Sequence, residues 1–438
     1  MAIYSKEEAR KIMEKALSFS KSDACEVNLT GSESGNIRYA RNSVSTAGHR
    51  SNQTLVAQAN FGKKSGTATI DEFDDASLEK VVRRAEELAQ LSPENPEFME
   101  PMEPQEYLES KTFIEGTANI KPEDRTQIAA DSIEPARAKD VTAAGFLNDS
   151  NDFSAMMNSK GLFAYNRSTN IDFTVTMRTN DGTGSGWATR EANDIAKLGA
   201  GEASKRAIDK AVMSREAKAI EPGKYTVILE PAASAQLLGN MFGSFNARRA
   251  DEGRSFMSKE GGATKLGEKI VDERVNLWSD PQHPDVPSAT WSGNGLPRKK
   301  MNWLEGGVVK NLFYSRFWAK EKGVEPVPFP SNSIMDGGDT SLEDMIKSTK
   351  RGILVTRLWY IRTVDPQTLL YTGLTRDGTF FIEDGKIKHP VKNFRFNESP
   401  IIMLNNLESL GKQERVNGRL IPYMKVRDFT FTSLSDAV

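Results

Sequence analysis

A turn at Pro222 and Gly223, a β-branched and aromatic run from Tyr225 to Leu229, and a small-residue helix straight after it constrain this chain more than any other stretch. In that helix Ala232, Ala235, Leu238, Met241 and Phe242 recur at helical spacing, which makes one face apolar. On periodicity alone it is an ordinary buried helix at a hinge. Its position is what matters: two hairpin-plus-helix units precede it, and a long half punctuated by Gly/Asp turns follows it. A chain of 438 residues is too long for one ordinary core. The expected fold class is therefore α+β, with an N-terminal α+β domain over 1–220 and a mostly antiparallel β domain over 221–438.

The first half carries the helix signals. Ser5 and Glu8 have capping-box spacing ahead of a face made by Ala9, Ile12, Met13, Ala16 and Leu17. Alternation predicts strands at Cys25 to Leu29 and Leu55 to Phe61, with a turn at Gly62 to Gly66. Asp75 or Ser77 is expected to cap a helix burying Leu78, Val81, Val82, Ala85 and Leu88. The Pro- and Glu-rich segment 92–111 reads as an exposed connection. A helix from Pro122 toward Asp140 should kink or end early at Pro135. Strands then fall at Val141 to Phe146, Ala155 to Asn158, Leu162 to Asn166 and Ile171 to Thr179, before a helix at Glu202 to Val212. The pattern GxxSGxAT occurs twice, at Gly62 to Thr69 and at Gly182 to Thr189. Either one α+β unit is duplicated, or two hairpin turns reuse Gly and Ser.

The second half reads as strands at Lys269 to Leu277, Val308 to Tyr314, Ile353 to Thr363, Thr379 to Glu383 and Phe394 to Phe396, with a closing strand at Leu420 to Phe431. Asp377-Gly378 and Asp384-Gly385 are expected as hairpin turns. Ser399-Pro400 should open a helix whose face runs through Ile402, Met403, Asn406, Leu407 and Leu410 to a stop at Gly411.

Chemistry is sparse. His49, His283 and His389 lie in separate regions with no zinc-motif spacing, and Asp280, His283 and Asp285 sit in a proline loop. Cys25 falls on an inward strand position with no adjacent base, as a small buried hydrophobe does. No GxSxG elbow and no phosphate loop occur, and Asp339 to Ser341 read as a helix start instead of a calcium loop. Arg357, Tyr360, Arg362 and Arg376 are candidate peptide contacts, since Arg clamps carboxylates and Tyr lines grooves; the alternative is a solvated strand face. A net charge of −2 supplies no field for nucleic acid, and no apolar run approaches the ~18 residues of a membrane span. One cysteine without a basic-then-apolar leader makes the cytoplasm the expected location.

The order of several segments resembles the TldD/PmbA family, once labelled modulators of DNA gyrase and described as subunits of a cytoplasmic peptidase. They are Phe61 to Thr69, Asn158 to Leu162, Pro222 to Leu229, Gly352 to Arg357 and Gly378 to Gly385, which span nearly the whole chain. The resemblance implies that one subunit type, TldD, carries a zinc-binding HExxxH motif on the helix after the PGxYxVxL strand, and that a later cysteine completes the site. Here those positions fall at Gly239, Asn240 and Ser244, and near Glu414. Neither Gly nor Ser replaces a zinc-bound imidazole, and Asn240 cannot take up a proton as a carboxylate does. The implied assignment is the other subunit type, TldE (PmbA), with no catalytic residue and no metal of its own. Zinc is then expected in a TldD-like partner, peptide as substrate, and a homodimer as an option for the isolated chain. The rival expectations are a standalone hydrolase built around Glu414 and a gyrase or nucleic-acid binder.

Overall fold

The computed structural model describes residues 3–435. The first half runs α1 (Lys6–Ser18), β1 (Ala24–Ala40), β2 (Ser43–Phe61), β3 (Lys64–Ile70) and α2 (Asp75–Leu91), then a short α3 (Glu115–Ala118). After it come α4 (Pro122–Ala138), β4 (Val141–Asn158), β5 (Phe163–Thr179), β6 (Ser185–Ala192) and α5 (Ala200–Met213). The six strands form one antiparallel sheet in the order β3-β2-β1-β4-β5-β6. The same helix, three-strand, helix sequence is thus written twice, and β1 lies antiparallel to β4 at the centre.

Packing follows the same symmetry. One core joins α1 and α2 to the start of β1 and the end of β4, through Val27, Leu29, Phe153 and Met157. The other joins α4 and α5 to the end of β1 and the start of β4, through Ile37, Tyr39, Val141 and Leu147. The two GxxSGxAT stretches place Gly66 and Gly186 where helix backbones cross the sheet. A Cβ on Gly66 would lie 2.1 Å from the Ala89 nitrogen of α2, and one on Gly186 would lie 2.1 Å from the Ala207 oxygen of α5. Only a residue without a side chain permits that approach, so the repeated motif is a packing motif of a duplicated unit.

Local signals at the helix starts behave as their chemistry requires. The Ser5 N–H donates to Glu8 Oε2 at 2.8 Å, and the Glu8 N–H donates to Ser5 Oγ at 3.2 Å. For α2 the cap is Asp74, one residue before the expected pair, because its extended backbone lets Oδ1 accept from the Ser77 N–H at 3.1 Å. Pro135 does not end α4. It lies in the last turn, where little helix remains to be broken. The strands are longer than alternation indicated, since the Ser43 to Asn52 part of β2 is exposed on both faces and has no apolar rhythm.

The second half contains β7 (Lys224–Leu229), α6 (Pro231–Phe242), α7 (Ala247–Asp251), β8 (Leu277–Ser279), β9 (Met301–Glu305) and β10 (Val308–Val309). It continues with α8 (Arg316–Lys322), β11 (Ser333–Met335), α9 (Leu342–Lys347), β12 (Arg351–Asp365), β13 (Leu370–Glu383), β14 (Lys386–Pro390) and β15 (Phe394–Glu398). It closes with α10 (Pro400–Asn405), β16 (Leu407–Val416) and β17 (Arg419–Leu434). Most pairs are antiparallel; β7–β12 and β11–β17 are parallel. The ladder β7–β12–β13–β15–β17 returns from β17 to β7, so five strands close into a ring. Closure leaves the buried β7 without a free edge and encloses Tyr225, Phe394, Phe429 and Phe431 in the largest core.

Four expectations in this half are corrected, the first being Val308 to Tyr314, which is a strand only over Val308–Val309. Of Lys269 to Leu277 only Leu277 lies in a strand: Lys269 makes an isolated bridge to Val308, and Val275 N–H turns back to the Asp272 carbonyl at 3.0 Å. The helix at Pro400 ends at Asn405, because from Leu407 onward the backbone pairs with β17 and becomes β16. Asp377-Gly378 lies inside β13 at a register shift, with φ of 55° and 117°. The left-handed backbone that suits a hairpin turn serves equally in a bulge.

Candidate functional site

Helix α6 starts from Pro231 at its first turn and packs Ala233, Leu237, Leu238 and Met241 into the main core. Its cap residue, Glu230, does not cap the helix with its side chain. Instead the carboxylate reaches back to Lys210 of α5, with both oxygens accepting from Nζ at 2.6 Å. The pair is buried, and burial pulls the Lys210 pKa down while Glu230 opposes that shift. It ties the duplicated unit to the ring.

Glu414 on β16 sits one step away. Its carboxylate accepts from Arg206 at 2.9 and 3.1 Å, from Arg190 at 3.3 Å and from the Tyr423 hydroxyl at 3.1 Å. Burial works to raise its pKa, but the Arg206 hydrogen bonds, Arg190 and Tyr423 outweigh burial and hold the carboxyl below the ordinary glutamate range. The space beside it measures about 10 Å³, room for one water at most. Two guanidiniums would repel a divalent cation, and the oxygens have no lone pair to spare for one.

The other three motif positions supply no metal donors of the expected kind. A Cβ on Gly239 would meet the Arg419 guanidinium at 2.9 Å, Asn240 is half-buried, and the buried Ser244 donates its hydroxyl hydrogen to the Met241 carbonyl at 2.7 Å. Amide and hydroxyl oxygens with one arginine-bound carboxylate do not make a zinc site. Among the described residues no three His, Cys, Asp or Glu side chains stand together as a metal group. His49 is exposed on β2, His283 packs on Trp278 and His389 on Phe381. Cys25 is buried, which pushes its thiol up to about 11, far from a reactive thiolate.

The four strand residues proposed to contact peptide divide into two settings joined by a residue the sequence reading missed. Arg357 and Arg376 are register partners on β12 and β13, both turned toward the buried Asp377. Arg357 also lies 4.5 Å above the Trp187 ring of β6, and the Ser185 hydroxyl donates to Asp377 at 2.6 Å. Tyr360 and Arg362 are at the surface, with Tyr360 in a left-handed backbone at φ 53°. Trp359 links the settings: Arg376 is 4.3 Å from its ring, Tyr360 packs beside it at 5.5 Å, and Arg362 covers Tyr360 at 4.2 Å. A cleft of about 380 Å³, lined by Ser185, Ser214, Asp377 and Gly378, opens beside Asp377. Alternation along a strand cannot reveal a ladder that a bulge creates, so Trp359 and Asp377 left no periodic trace.

A duplicated α+β unit tied by ion pairs to a ring-closed mixed sheet defines the class of protein. Three family models match in order: PmbA/TldA metallopeptidase domain 1 over residues 25–89, the central domain over 115–215 and the C-terminal domain over 222–433. The chain belongs to the PmbA/TldD metallopeptidase family. It is 25% identical over 299 residues to a metalloprotease of Methanothermobacter thermautotrophicus, covering 61% of this chain and 62% of that one. It is 23% identical over 206 residues to a zinc metalloprotease TldD homolog of Saccharolobus solfataricus, covering 43% and 44%. The alignments thus span less than two thirds of these relatives. The fold matches TldE of Thermococcus kodakarensis with TM-score 0.87 at 20% identity, over 97% of this chain and 99% of that one. It also matches a structure from Thermotoga maritima described as a modulator of a DNA gyrase, with TM-score 0.86 at 19% identity, over 97% and 100%. Among the described residues no helix is long and apolar enough to cross a membrane.

Proposed function

We propose that this chain is the TldE-like subunit of a cytoplasmic TldD/TldE-type zinc metallopeptidase, contributing peptide-holding surface but no catalytic metal. The observation that carries this reading is the chemistry at the motif positions. Gly239, Asn240 and Ser244 offer no imidazole, and Glu414 is consumed by Arg206, Arg190 and Tyr423. The zinc and its general base then come from a TldD-like partner. In this reading the Arg376–Trp359–Tyr360–Arg362 ladder and the cleft beside Asp377 hold extended peptide, with Arg357 fixed by Asp377 as support. The engagement of Glu414 counts against a standalone hydrolase, and the net charge of −2 counts against nucleic acid as the partner.

The test is purification of the tagged chain from its own cell, with mass spectrometry of what accompanies it and metal analysis. The expected outcome is a near-stoichiometric chain bearing HExxxH and one zinc per pair. Chelator-sensitive peptide cleavage by the purified chain alone would overturn the proposal.

A further inference from the structure

Arg419 covers the part of α6 that the family resemblance would give to a zinc ligand. Its guanidinium stands 2.9 Å from where a Cβ on Gly239 would be, so it takes the space of any side chain there. Arg419 opens β17 as the register partner of Ser333, the first residue of the parallel strand β11. Gly239, Phe242, Phe329, Ser333, Gly418 and Arg419 are among the walls of a cavity of about 120 Å³. The loop beneath is pinned, because Asn332 Nδ2 donates to the carbonyls of Asp280 at 2.7 Å and Val286 at 2.6 Å.

Two polar groups of this cavity are left wanting. The Arg419 guanidinium makes one long hydrogen bond, 3.5 Å to the Asn417 carbonyl, and no ion pair among the described residues. Glu191, whose charge reaches it, is already engaged by Arg415 at 2.8 Å and by the Gly418 N–H at 2.8 Å. Ser333 is 4% exposed, and its hydroxyl has no hydrogen-bond partner. A half-buried cation whose nearest counter-charge is spent on other donors and a buried hydroxyl without an acceptor both cost free energy. A carboxylate answers the first, accepting the fork of the guanidinium while its apolar substituent lies against Phe242 and Phe329. We propose that this cavity binds the carboxylate of a small apolar residue, the free C-terminus of a peptide. Only the peptide as source rests on the function proposed above; the carboxylate chemistry stands on the cavity.

The probe is N-acetyl-leucine, with N-acetyl-leucinamide as its uncharged twin, each titrated into the full chain and followed by NMR or calorimetry. The acid is expected to bind at least about ten-fold more tightly than the amide, the scale of one charge-assisted interaction. Arg419→Gln should abolish that difference. Gly239→Ala should push the flexible guanidinium aside and weaken the acid about as much, with the melting temperature nearly unchanged. If Arg419→Gln fails to fold, Arg419→Lys, which keeps the charge and loses the fork, should retain only part of the preference. Equal binding of acid and amide, a preference that survives Arg419→Gln, or no binding of the acid at millimolar concentration overturns the proposal. No partner chain enters this assay, so failure to recover an HExxxH-bearing subunit from cells would be a separate result.

Discussion

Asp172 on β5 shows how a single group couples the fold to pH. Burial raises its carboxyl from the ordinary 3.8 to about 6, with help from the Glu191 charge and against Arg415. The folded chain therefore holds this proton to higher pH than the unfolded chain does. Stability falls as pH rises through the interval between those values, and the cost persists at neutral pH. Asp172→Asn keeps an acceptor for Asn170, which donates to Asp172 at 2.6 Å, and removes the ionisation. The variant should melt higher than the parent at pH 7.5 and match it below pH 4; equal melting at pH 7.5 would contradict the account. Nothing in the sequence near 172 announces this, because Glu191 and Arg415 come from other elements. By contrast Ser5 with Glu8 is legible as a capping box and Asp339 to Ser341 as a helix start, since a cap acts within one turn of its own helix.

At the scale of elements, the repeated GxxSGxAT stretches make a paired prediction. Gly66→Ala and Gly186→Ala each drive a methyl group into helix backbone, so each should lose about 1–3 kcal/mol in urea unfolding. Gly201→Ala in α5, with nothing within 4 Å of the added methyl, should cost nothing. Equal effects at all three would show that helix packing is not what the motif serves. Elements with a periodic buried face were read correctly in kind, among them α1, α2, α6 and β7. Those set by partners were not. Leu407 and Leu410 have helical spacing after Pro400, yet β17 captures them as a strand, and the exposed arm of β2 has no pattern because β1 alone supports it.

On the whole-molecule scale, the duplicated unit and the ring are joined by charge. Lys210–Glu230 is buried, and Arg206–Glu414 and Arg415–Glu191 cross the same junction at 2.9 and 2.8 Å. Glu230→Gln leaves the Lys210 ammonium buried without a counter-charge, a loss of about 3–5 kcal/mol expected in urea unfolding. Lys210→Met combined with Glu230→Leu should recover most of it, since a well-packed apolar pair removes both desolvation costs. A double variant as unstable as the single one would mean that the junction needs the ion pair itself.

The amino-acid order by itself determined the α+β class, the echo between the two halves of the first sheet, the family resemblance and the absence of histidines from α6. These are local in origin: hydrophobic period, capping chemistry and residue identity need no partner to be read. Only the tertiary structure decided that the echo is a true duplication, that β7 closes a ring with β17, that Glu414 is spent on two arginines, and that Arg419 fills the space above Gly239. Each of those depends on groups far apart in the chain meeting with a definite geometry, and the free energy that brings them together belongs to the folded core as a whole.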